Sequence, residues 1–157
     1  MNIQEYNAKF NEKVSEIASV GDEELEKLNS AIEWKLLHSG KLSKVSESSV
    51  YTSNITGLFS FDNIQLDLDN YNEFYIEIGT YSMIIPKEAI VNSISNSKYL
   101  KSDSGYTGSY QKSTLTYITI TKSGIVTDIK NYSQSYTSNT NYYNIQQSET
   151  DWKIYGR

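Results

Sequence analysis

Ile64-Gln65-Leu66-Asp67-Leu68 and Phe74-Tyr75-Ile76-Glu77-Ile78 each carry an apolar side chain at every second position, with Asn70-Tyr71-Asn72 between them as a turn signal. Alternation at a period of two marks a strand with one face on a core and the other in water. The pattern recurs downstream. Gly79-Thr80 precedes the run Tyr81–Ile85, which Pro86 stops. Leu115-Thr116-Tyr117-Ile118-Thr119-Ile120-Thr121 is made of residues that favour strands, and Ser123-Gly124 turns the chain into Ile125, Thr127 and Ile129. Trp152–Arg157 reads as a short closing strand, giving seven or eight strands with turn signals every ~8–12 residues. Residues 95–113 read as a long loop or irregular hairpin, and 131–144 as a second polar stretch. The expectation for residues 51–157 is a jelly-roll-like antiparallel β-sandwich.

Upstream the period changes to about 3.6. Ile3, Tyr6, Phe10, Val14, Ile17 and Val20 share one helical face, with Glu5, Lys9, Glu12, Lys13 and Glu16 between them. Gly21-Asp22 interrupts the pattern, and Asp22 has the chemistry of an N-cap. A second stripe follows at Leu25, Leu28, Ile32 and Leu36, widened by Trp34 and Leu37, with Gly40 as a C-terminal stop. The spacing predicts two helices bent near residue 21, or one kinked helix, over residues 1–40. Residues 41–50 predict a linker. Neither stripe stabilises an isolated helix, so something must cover it. Ile3, Tyr6, Phe10, Val14, Ile17, Leu25, Leu28 and Ile32 are the candidate oligomerisation residues, in a three-stranded coiled coil.

Composition removes several chemistries. The 157 residues contain no cysteine and one histidine, so thiolate nucleophiles, disulfides and ordinary zinc sites are excluded or disfavoured. The net charge is −5 without any Lys/Arg cluster, which argues against a phosphate backbone or an anionic membrane as partner. No basic-then-apolar leader opens the sequence, and no apolar run approaches the ~20 residues that span a bilayer. His38 beside Ser39 reads as a helix-end histidine rather than half of a triad. Asp67 and Asp69 fall on one face of the expected strand, and with Asn72 and Glu73 they offer oxygens at alternate spacing. A polar hairpin turn accounts for them better than a catalytic pair or a calcium loop. No catalytic residue, metal or cofactor is expected, and the chain reads as a non-enzyme.

What stands out is tyrosine: 14 Tyr against 4 Phe and 2 Trp. Tyr99, Tyr106, Tyr110, Tyr132, Tyr136, Tyr142 and Tyr143 lie in the two polar stretches among Ser, Asn and Gly. Rigid aromatic area with small polar neighbours is the composition of adaptable recognition surfaces, and these seven are the candidate binding residues.

The order of segments resembles the C-terminal domains of tail and baseplate proteins of phages that infect Gram-positive bacteria. The resemblance covers about residues 55–157. It rests on Phe61–Ile78 with its Asn70-Tyr71 turn, on Ile84-Ile85-Pro86-Lys87, on the Thr/Ile-rich strand pair, and on Trp152-Lys153-Ile154-Tyr155-Gly156-Arg157. It implies a virion component of fibre or baseplate type, assembled in the host cytoplasm and often trimeric. The implied partners are other copies of the chain, other virion proteins through the N-terminal helices, and a host-surface glycan. A head fibre or capsid decoration protein fits the same features. A small carbohydrate-active enzyme and an intracellular interaction protein are the rivals from other classes.

Overall fold

The computed structural model describes residues 3–51, 54–107, 110–137 and 142–157. The chain divides into a helical unit up to Glu33 and a β unit from Trp34 to Arg157.

The helical unit is one helix, α1 (Ile3–Ile32). The helix continues through Gly21-Asp22 without a break, so Asp22 lies inside it rather than capping a second one. An interior glycine costs a helix only about 1 kcal/mol relative to alanine, too little to break a run whose apolar spacing continues beyond it. The helix also stops at Ile32, short of Gly40. Residues 35–51, expected as helix end and linker, are two strands, β1 (Lys35–Leu42) and β2 (Val45–Tyr51). Leu36 and Leu37 are strand residues, and His38 is no helix cap: its Nε2 lies 3.2 Å from the Gln65 carbonyl oxygen. Long-range pairing overrides the local helical pattern here, since β1 pairs along its length with the far end of the chain.

The β unit is an antiparallel sandwich. Its remaining elements are β3 (Ile64–Gln65), β4 (Glu73–Ile78), β5 (Tyr81–Pro86), α2 (Lys87–Val91), β6 (Ser97–Thr107), β7 (Tyr110–Ile120), β8 (Ile125–Thr137), β9 (Tyr142–Gln147) and β10 (Thr150–Gly156). One sheet has the order β1-β10-β4-β5 and the other β2-β9-β8-β7-β6, with β3 pairing the start of β8. The two sheets share one bent ribbon. Leu42 faces Thr150 in the first sheet, and three residues on Val45 faces Gln147 in the second, so the register crosses the corner without a slip.

The core is isoleucine-rich. Phe74, Ile76 and Ile78 of β4 and Trp152 and Ile154 of β10 meet Ile118, Ile120, Val126 and Ile129 from the other sheet, with Leu42, Leu66, Ile85 and Ile90 completing it. Gly40 sits opposite Trp152 in mid-strand, and a Cβ there would come 2.6 Å from the indole Cζ2. The glycine that looked like a helix stop is therefore a packing requirement of the sheet. Gly79 and Gly124 have φ of +59° and +82° and make the β4–β5 and β7–β8 turns. At the second turn the Gly124 amide donates to the Thr121 carbonyl at 2.9 Å, a tight turn ending in a left-handed residue.

Three expectations change in detail. The strand foreseen over 64–68 shrinks to two residues, and Asp67 and Asp69 lie in a turn rather than on one strand face. The Asp67 carboxylate accepts the Asn70 amide at 3.1 Å and the Asn70 side-chain Nδ2 at 2.7 Å, and these bonds hold its pKa below the usual value. Residues 95–113, read as a long loop or irregular hairpin, hold β6 and the start of β7, which pair antiparallel with a register shift between Tyr99 and Lys101, so the hairpin is the reading that holds. Within 131–144, the described residues belong to β8 and β9.

Three of the four segments on which the resemblance rests meet at one place. Asn72 and Glu73 amides donate to the Arg157 carbonyl at 2.9 and 3.1 Å, and Lys87 donates to the Asn72 carbonyl at 2.8 Å. Gly156 lies under Tyr71, where a Cβ would be 2.7 Å from the ring. Arg157 pairs with Glu73 at 2.6 Å and lies over the Trp34 ring at 4.4 Å. These motifs act as structural closure of the C-terminal strand.

Gly40→Ala is expected to lower stability by about 1–3 kcal/mol, the cost of overpacking a core contact, in urea unfolding. Gly105→Ala, on a strand with nothing within 4 Å of its Cβ position, is expected to change it by no more than about 0.5 kcal/mol.

Candidate binding faces of the long sheet

β6, β7 and β8 are 11, 11 and 13 residues long, against six to eight for the strands of the other sheet. The part of the long sheet nearest the core is covered. Beyond Thr116 and Asn131 the side chains on the core-facing side turn polar. The two are bonded to each other, Thr116 Oγ1 donating to Asn131 Oδ1 at 2.8 Å.

Register places the side chains of this extension in transverse rows, because directly opposed residues share a face. On the side continuous with the core, one row runs Gly105, Lys112, Ser135, Asn144, and the next Asp103, Thr114, Ser133, Gln146, Ser46. Every side chain in both rows is polar or absent. Residues 46–48 and 144–146, with Lys112, Ser133 and Ser135, line a groove of about 410 Å³.

An extra residue in β2 adds aromatics to this polar face. Between Glu47↔Ile145 and Val50↔Tyr143, β2 advances three residues while β9 advances two. The bulge contains Ser49, whose φ of +60° lies in the left-handed region that favours glycine. Its amide reaches Asn144 Oδ1 at 3.4 Å. Without the extra residue Tyr51 would share a face with Glu47. With it, Tyr51 stands opposite Tyr142, on the side of Asn144. Their rings lie 4.3 Å apart, the Tyr142 hydroxyl donates to that of Tyr51, and they are 39% and 50% exposed. Backbone strain at a bulge that re-aims a side chain marks a place where conformation serves something other than stability.

The opposite side carries other tyrosines of the long sheet. Tyr106, Gln111 and Tyr136 form a row, with Tyr143 edge-on to Tyr136 at 5.0 Å and the Tyr106 and Tyr136 hydroxyls 3.5 Å apart. Nearer the core, this same side is a satellite cluster. Phe59 lies 5.0 Å from Tyr132, and Tyr99 5.3 Å from Tyr117. Buried Lys130 sits 5.3 Å from the Phe59 ring centroid and 5.7 Å from that of Tyr117, ion-paired with Asp128.

The seven candidate tyrosines thus separate. Among those whose side chains are described, Tyr142 lies on the polar groove's face. Tyr106, Tyr136 and Tyr143 form the opposite row, Tyr132 is buried, and Tyr99 is exposed over Tyr117. The Tyr110 side chain lies outside the described residues. The structure adds Tyr51, Lys112, Ser133, Ser135, Asn144 and Gln146. The signal for the serines was present as alternation, Tyr132-Ser133-Gln134-Ser135-Tyr136, once that stretch is read as strand. Among the described residues no group of three or more His, Cys, Asp or Glu could hold a metal ion, and no helix is long and apolar enough to cross a membrane.

No protein-family model, curated protein or solved structure matches this chain.

Burial pushes the phenols of Tyr117 and Tyr132 up to about 12, aided at both by the Asp128 charge, whereas the Lys130 charge acts against the shift at Tyr132. Above the ordinary value of 10 the unfolded chain releases protons that the folded chain retains. Stability is therefore expected to be insensitive to these groups below about pH 10 and to fall as the pH rises through 12. Tyr117→Phe should flatten that fall in denaturant titrations at pH 9, 10 and 11.

Proposed function

We propose that this protein is a non-catalytic display module of virion fibre or baseplate type, whose β unit binds a hydroxyl-rich host-surface glycan through the polar groove of its long sheet. The observation that carries the reading is the Ser49 bulge, which stands Tyr51 beside Tyr142 on the same face as, and next to, two rows of Ser, Thr, Asn, Gln, Lys and Asp. An aromatic face for a sugar ring, with short hydrogen-bonding groups at strand spacing, is the chemistry that recognises a carbohydrate without reacting with it. The resemblance to tail and baseplate domains of Gram-positive phages supports the same reading. So does the arrangement of a β-sandwich preceded by a helix, with α1 as the element that associates copies, in a trimer, or attaches to other virion proteins.

The rival carbohydrate-active enzyme would rely on Asp67 or Glu73. The Asp67 carboxylate is engaged with the Asn70 turn, and Glu73 pairs with Arg157 at 2.6 Å. Both carboxylates are engaged by structural partners.

The test is binding of the full chain to purified Gram-positive cell walls and to an immobilised glycan panel. Tyr142→Ala and deletion of Ser49 are each expected to weaken binding by about 5- to 150-fold, as loss of about 1–3 kcal/mol of aromatic and polar contact does. Tyr155→Phe, on the other sheet, should bind like the parent. Absence of binding to every probe, or equal binding by all variants, contradicts the reading.

A further inference from the structure

Laid on one unbroken helix, positions 3, 6, 10, 14, 17, 21, 25, 28 and 32 of α1 advance by 3-4-4, 3-4-4 and 3-4 residues. This is an eleven-residue repeat, running Ile3/Val14/Leu25, Tyr6/Ile17/Leu28 and Phe10/Gly21/Ile32. No charged residue occupies any of these positions. The flanking series Asn7, Ala18 and Asn29 follows the same period and is uniformly small. In the single chain the described members of the stripe are open to solvent: Phe10 is 57% and Ile17 71% exposed.

We infer that α1 winds on the α1 helices of other copies of this chain as an eleven-residue-repeat bundle. This deepens the reading of α1 as the association element and is independent of the ligand chemistry of the β unit. Eleven residues in three turns is 3.67 per turn, so the stripe stays nearly parallel to the axis, and helices packed along it supercoil slightly to the right rather than to the left. A partner with an irregular surface would not require one period to hold from Ile3 to Ile32. A partner built of the same repeat does, and this chain supplies that repeat itself. Gly21 is then the weak layer, occupying the position that Phe10 and Ile32 fill in the neighbouring repeats. Nothing lies within 4 Å of its Cβ position in the single chain, so no intramolecular contact requires glycine there.

Because the chain contains no cysteine, one introduced thiol reports the contact. Ile17 stands near the helix midpoint, so copies bring it together whichever way they run, while Glu12 lies on the opposite face. Under mild oxidation of the full chain, Ile17→Cys is expected to form a covalent dimer and Glu12→Cys to remain uncrosslinked. Light scattering of the parent should give a multiple of 17.9 kDa. Gly21→Leu should raise the melting temperature more than Gly21→Ala, with the difference growing with protein concentration, since alanine adds helix propensity alone. An oligomer in which both cysteines cross-link equally, or in which Leu and Ala at 21 behave alike, overturns the repeat while leaving association intact. A monomeric mass overturns both.

Discussion

The β unit depends on one pairing, that of residues 35–51 with residues 142–156. These two stretches form an antiparallel ribbon that begins in one sheet, bends between Leu42 and Val45 and ends in the other, with the register held through the bend. Each layer of the sandwich therefore contains part of the same ribbon, and neither sheet is complete without it. The bend is where side chains replace ladder hydrogen bonds. Gln147 accepts the Asn131 amide at 3.2 Å and donates to the Ser43 carbonyl at 2.8 Å, and Asn131 Nδ2 donates to Thr150 at 3.2 Å. Breaking such a buried network leaves several polar groups unsatisfied together, which makes the corner a cooperative unit.

That corner also separates two tasks. On the side of Trp152, Ile154, Ile118 and Ile129 the sheets face each other and bury isoleucine. On the far side only the long sheet continues, and its side chains become serine, threonine, asparagine and tyrosine. The extension has no apolar layer of its own on the groove side. Its conformation is set by hydrogen-bonded strands anchored in the core half, and by the Phe59–Tyr132–Lys130 cluster on the reverse side. Under the proposed glycan reading, short polar side chains carried on hydrogen-bonded strands suit a ligand with many hydroxyls.

Much of the core half was legible in the sequence. β4, β5, β7 and the first half of β8 alternate because one face is buried, and burial is what writes a period of two. β1 was not legible, because Leu36, Leu37 and Gly40 fit a helix end as well as a strand. The partner that decides between them, Trp152 and its neighbours, lies more than a hundred residues away. β6 and β9 were obscured for a different reason: much of β6 is exposed, and the inward positions of β9 are Tyr143, Ile145 and Gln147, only one of them aliphatic. The tyrosines were visible as composition, but their sides were not. A single extra residue at Ser49 inverts the parity of β2, so no count from Val45 places Tyr51 correctly. In α1 the reverse occurred. The step through Gly21 looked like a break because glycine was weighed more heavily than the spacing that continues through it.

Hydrogen exchange of the full chain, read residue by residue, tests the shared ribbon most directly. If both sheets hang on it, the amides of Leu42 and Val45 exchange as slowly as those of Ile76 and Ile154, and the four respond together to low denaturant. Fast exchange throughout residues 35–51, while β4, β7 and β8 stay protected, would show that the sandwich stands without the ribbon and contradict the account.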